Sequence, residues 1–104
     1  MIDFVELVLS CGSWQEAQTI ADRLLGQKLV ACVEFMEIKS RFHWKGDLEK
    51  ANEIKLIMTT IGRHFDAIEQ EVKQLHSYET FVLQQIPITH INRAAADWLA
   101  EITD

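Results

Sequence analysis

A chain of 104 residues with 16 acidic and 10 basic side chains, a formal charge of −6 and 48% apolar residues reads as one globular domain that needs no staples. The acidic balance, with no cluster of Lys or Arg, argues against nucleic acid as a partner, and no stretch approaches the roughly 20 apolar residues of a bilayer span. Two cysteines are too few for a disulfide framework, and the amino-terminal apolar run has no basic region before it and is broken by Asp3 and Glu6, so reduced thiols and a cytoplasmic location are expected.

In chain order, Val5, Leu7 and Leu9 alternate with Phe4, Glu6 and Val8, which predicts a first strand with one apolar face, ending at the turn Ser10-Cys11-Gly12. Ser13-Trp14-Gln15-Glu16 has the form of a capping box, the Ser hydroxyl taking the Glu16 amide and the carboxylate reaching back to the Ser13 amide. Trp14, Ala17, Ile20, Ala21, Leu24 and Leu25 then form one helical stripe, and Gly26 is placed to end it in a left-handed conformation. Residues 29–33 are apolar without alternation, the pattern of a central strand covered on both faces. The chain stays extended to Trp44, turns at Lys45-Gly46-Asp47 and returns to Thr60 with Ile54, Leu56 and Met58 on one face, making a long hairpin. Phe65, Ile68, Val72 and Leu75 mark a second helix, and Thr80 to Ile86 a fourth strand stopped by Pro87. Asn92 caps a third helix whose Ala94, Ala95, Trp98, Leu99 and Ile102 are expected to face inward.

This order, two strand-helix-strand units joined by a hairpin with right-handed crossovers, specifies an α/β (α+β) fold. It is a ferredoxin-like split β-α-β sandwich with a long hairpin between its second and third strands and an extra carboxyl-terminal helix, one domain over residues 1–104. Its inward positions, Leu24, Leu29, Val33, Leu56, Ile68, Val72 and Leu83, are expected to form one core.

Groups with chemical potential are few. Cys11, between a strand end and a helix start, is where a thiolate would be stabilised, with His76 or Tyr78 as partners if the fold brings them near. No Gly-rich phosphate loop and no Ser, His and Asp constellation occurs, so no enzymatic activity and no catalytic residues are expected. His43, His64 and His90 do not recur at zinc-motif spacing. Phe42 and Trp44 near the hairpin tip suit an interface, and the alternating charges of Lys45, Asp47, Glu49, Lys50, Glu53 and Lys55 a solvated face.

Five segments in order, Lys28-Leu29-Val30-Ala31-Cys32-Val33, Phe42-His43-Trp44-Lys45-Gly46, Leu75-His76-Ser77-Tyr78, Ile86-Pro87-Ile88-Thr89 and Asp97-Trp98-Leu99, resemble the CutA divalent-cation-tolerance family over nearly the whole chain. The resemblance implies a ferredoxin-like fold, a packed homotrimer, binding of copper or another divalent cation, and no catalysis. Against the family pattern, Pro-Glu is here Phe81-Val82, His-Pro-Tyr is His76-Ser77-Tyr78, Lys-Thr is Thr59-Thr60, and the Gly before the last helix is Ile91. The missing glutamate removes an oxygen ligand close to the histidine, which leaves Cys32 and His76 as the metal-ligand candidates. The alternative is a trimeric regulatory protein that binds a small metabolite in clefts between subunits.

Overall fold

In the computed structural model, which describes residues 2–104, Val5, Leu7, Leu9 and Cys11 are buried and the residues between them half-buried, the two-residue period of a strand lying on a core. That strand is β1 (Phe4–Cys11); α1 (Trp14–Gly26), β2 (Cys32–Trp44), β3 (Asp47–Ile61), a 3-10 turn at Gly62–His64, α2 (Phe65–Leu75), β4 (Leu83–Pro87) and α3 (Arg93–Thr103) follow. The antiparallel sheet has the order β2-β3-β1-β4. Leu7 stands opposite Met58 and Leu9 opposite Leu56, and on this face Ala17, Ile20, Ala21 and Leu24 of α1 and Ile68 and Val72 of α2 close the core. Leu24, Leu56, Ile68 and Val72 are fully buried in it, with Leu29, Val33 and Leu83 packed against it, so the expected α/β layers and core are those observed.

Five local expectations are corrected. Residues 29–33 do not form a central strand: β2 begins at Cys32 and is an edge of the sheet, because the hairpin seats it beside β3 and β1 takes the middle. Of that run, Val30 is the fully buried side chain. The left-handed residue after α1 is Lys28 (φ 57), not Gly26. Leu29 N–H donates to Leu24 O and Lys28 N–H to Leu25 O, both at 3.0 Å, the two bonds of a Schellman ending that turns Leu29 back into the core beside Leu24. β4 starts at Leu83 rather than Thr80 and includes Pro87, which an edge strand tolerates because Ile88, the next residue, donates to Phe4 O while position 87 faces outward. In α3 the buried residues are Leu99 and Thr103, while Ala94 and Trp98 are exposed. The helix end is tied to the 3-10 turn by His64 Nε2, 2.6 Å from Thr103 O, and by the Arg63–Asp104 ion pair, which turns the face carrying Trp98 to solvent. Asn92 precedes it with extended backbone but makes no side-chain cap bond.

The hairpin turns on Lys45 (φ 49) and Gly46 (φ 86), two positive values that define a two-residue loop matching strand twist. Every residue from 41 to 50 is exposed, so the outer hairpin stands clear of the helices. On the sheet face opposite α1 and α2 lie Glu6, Val8, Met36, Ile57 and Ile86, with Met36 50% and Ile86 47% exposed. Among the described residues no helix is long and apolar enough to cross a membrane.

A candidate metal centre at the end of the first strand

Three chain segments meet where β1 ends. Ser13 caps α1 by accepting the Glu16 N–H at Oγ, 3.1 Å. The reciprocal half of the capping box is not made: Glu16 Oε1 accepts the Ser77 N–H at 2.6 Å, a backbone donor beyond α2 that would otherwise lack a partner. α2 is closed by His76 N–H on Val72 O at 2.8 Å, and His76, extended at φ −82 and ψ 135, sends its ring inward to 0% exposure.

The hydrogen bonds assign the imidazole tautomer. Nε2 lies 2.8 Å from Ser10 O, which only accepts, so Nε2 carries the hydrogen and donates. Nδ1 keeps its lone pair and accepts the Tyr78 N–H at 3.1 Å. The ring sits between Tyr78, at 4.8 Å between centroids, and Phe81, at 5.3 Å. Glu16 Oε2 lies 3.8 Å from Nδ1, buried and without a hydrogen-bond partner among the described residues. Cys11, Glu16 and His76 each offer one ligand atom, and these atoms all lie within 4.8 Å of one another.

Around this group Tyr78 Oη donates at 2.7 Å to Oε2 of Glu53, a residue of β3 that is only 7% exposed. Burial and then the Glu53 hydrogen bond push the phenol up. The ring lies so close to Gly12 that a Cβ there would fall 3.0 Å from Tyr78 Oη, which explains a glycine at this position. Burial, with the Glu16 and Glu53 charges adding to it, pushes the Cys11 thiol up to about 12. The expected stabilised thiolate is therefore corrected: the fold does bring His76 to Cys11, but the surroundings hold the thiol protonated and make it a poor nucleophile.

The pair Cys32 and His76 is not assembled. Cys32 stands opposite Thr59, itself opposite Glu6, and its thiol donates to Thr59 Oγ1 at 3.6 Å. His76 meets Ser10, four residues farther along β1, or about 13 Å at the usual strand rise. Val82, where the family carries its glutamate, is 60% exposed. His43 lies on the exposed hairpin, His64 binds Thr103 O, and His90 lies 3.3 Å from Thr89 Oγ1 in a loop. Glu16 was hidden from sequence reasoning by its capping position; its five-residue offset from Cys11 across a strand-turn-helix junction is the one signal that places the two together.

Residues 5–102 match the model of the family described as CutA1 divalent ion tolerance protein. The chain belongs to this family. It is 39% identical over 98 residues to the divalent-cation tolerance protein CutA of Archaeoglobus fulgidus, covering 94% of this chain and 96% of that one, and 32% identical to that of Thermus thermophilus, covering 93% and 95%. The solved Archaeoglobus fulgidus structure, of a CutA described as periplasmic, superposes with a TM-score of 0.92 at 38% identity over the whole of both chains. The CutA1 of Oryza sativa superposes at 0.95 with 25% identity, covering 99% of this chain and 95% of that one. As a CutA1 chain, it retains the fold of these relatives.

Proposed function

We propose that this chain serves divalent-cation tolerance by binding such an ion as a homotrimer, without catalysing a reaction. The observation that carries the reading is the outer hairpin. Phe42 (37%), Trp44 (36%) and Leu48 (64%) are exposed on it, and β2 offers an unpaired edge along its length. Soluble proteins cover such an edge and such rings. The edge of one chain against the hairpin of the next is a heterologous contact, and a three-fold rotation closes it into a ring. Phe42 and Trp44 each keep more than a third of their surface exposed, and a neighbour seated on the hairpin would bury that remainder together with Leu48 and the β2 edge.

Family membership supports the cation, copper or another divalent ion, and the group around His76 supplies the donors. Two free thiols support a cytoplasmic location. The alternative, a small metabolite held at a subunit boundary, is favoured by a cavity of about 840 Å³ between the hairpin and the turn after α2, lined by Phe42, Trp44 and Tyr78. Calorimetric titration with copper, zinc and a nucleotide panel tests the choice. Cation binding that His76→Ala abolishes supports the first reading; nucleotide binding with no cation binding overturns it.

A further inference from the structure

We propose that Cys11, Glu16 and His76 form a three-ligand site for a borderline cation of the zinc class, which takes thiolate, imidazole and carboxylate together. The proposal rests on the reading that the chain binds a divalent ion and names where and by which atoms: Cys11 Sγ, Glu16 Oε2 and His76 Nδ1.

Each ligand is already aimed by its other contacts. His76 Nε2–H is anchored on Ser10 O, the outer partner that orients a metal-binding imidazole and leaves the Nδ1 lone pair, on which the Tyr78 N–H rests, as the ligand atom. Glu16 Oε1 is anchored by Ser77 N–H, which leaves Oε2 pointing at Nδ1 with no hydrogen bond of its own. A buried carboxylate oxygen without a donor is costly, and a cation is the partner that this surrounding lacks. Glu16 has the neutral His76 ring as its one charged-type contact, and Glu53 makes no ion pair among the described residues. Among the described residues neither carboxylate is paired with Lys or Arg.

The spacing agrees. Ligands about 2.0–2.3 Å from a tetrahedral ion stand roughly 3.3–3.8 Å apart. The Glu16 Oε2 to His76 Nδ1 distance is 3.8 Å, and all three atoms lie within 4.8 Å, so closure takes at most roughly 1–1.5 Å. One sulfur, one nitrogen and one oxygen do not suit magnesium or calcium, which take oxygen shells. The family's oxygen ligand is replaced by exposed Val82, and Glu16 supplies an oxygen from α1 instead.

Binding moves a proton and a hydrogen bond. The Cys11 thiol releases its proton to solvent as its sulfur becomes a ligand, and the cation takes the Nδ1 lone pair on which the Tyr78 N–H now rests. Tyr78 then shifts, and as the chain's single tyrosine it reports the event without ambiguity.

The test is a titration of the full chain, carrying 3-fluorotyrosine, with cobalt(II) followed by zinc. The expected result is a sulfur-to-cobalt charge-transfer band, tetrahedral visible bands and a displaced fluorine resonance, with both absorption features lost on zinc exchange while the fluorine resonance stays displaced from that of the metal-free chain. Cys11→Ser removes the charge-transfer band, Glu16→Gln weakens binding at least tenfold, and Cys32→Ser changes neither. Cobalt that binds without the sulfur band, or with full affinity in Glu16→Gln, overturns this site while leaving divalent-ion binding standing. A chain that binds no divalent ion by calorimetry overturns both.

Discussion

Glu16 Oε2 and His76 Nδ1 face each other at 3.8 Å inside the protein, one a carboxylate oxygen without a donor among the described residues, the other an unprotonated ring nitrogen that accepts the Tyr78 N–H while Nε2–H donates to Ser10 O. Their approach comes from two helix ends: α1 starts with Ser13 as its cap, which frees Glu16, and α2 stops so that Ser77 N–H can take the released carboxylate. Ser13 alone supplies the side-chain cap of α1, and the Glu16 carboxylate is left for the turn after α2.

Tyr78→Phe removes the one donor to Glu53 Oε2 among the described residues and leaves a 7% exposed residue's carboxylate short of a partner. A loss of about 1–3 kcal/mol in urea unfolding is expected. A change within experimental error would show that the Tyr78 hydroxyl does not satisfy Glu53.

Leu24 is fully buried between α1, the sheet and α2, so Leu24→Ala should lower stability by about 2–5 kcal/mol through lost burial and the cavity left behind. Denaturant unfolding monitored by circular dichroism measures it, and a loss below about 0.5 kcal/mol would contradict the assigned core.

Lys28 holds φ 57 without the freedom of glycine. Lys28→Gly should raise stability by about 1 kcal/mol, since the left-handed conformation costs a side-chain-bearing residue that much. A lower melting temperature for the glycine variant would contradict the account of this turn.

The Cys11 thiol, raised from 9.0 to about 12 in the folded state, binds its proton more tightly folded than unfolded. Its contribution to stability is complete below about pH 9 and is lost as pH climbs toward 12, with a slope of up to about 1.4 kcal/mol per pH unit. Stability measured from pH 8 to 11 should fall less steeply in Cys11→Ala than in the parent chain; parallel curves would show that this thiol is not desolvated.

The core was legible because period alone decides which side of a strand or helix is inward: Val5, Leu7 and Leu9 alternate, and Ile68 and Val72 recur one turn apart. Features set by partners distant in the chain were not. Nothing local tells that Glu16 will bond Ser77 rather than Ser13, that Lys28 and not Gly26 will take the left-handed place, or that the apolar residues 29–33 will lead into an edge. The candidate site followed the same rule. His76 was visible through its resemblance to the family pattern, whereas the choice between Cys11 and Cys32 depended on which end of β1 the turn after α2 reaches.

The assembly is the claim on which the hairpin's length, its exposed Phe42 and Trp44 and the unpaired β2 edge all converge. Sedimentation equilibrium of the folded protein at micromolar concentration tests it directly. Three chains of 12.0 kDa predict a single species of about 36 kDa whose dissociation accompanies unfolding, and a stable, folded species of 12.0 kDa would contradict it.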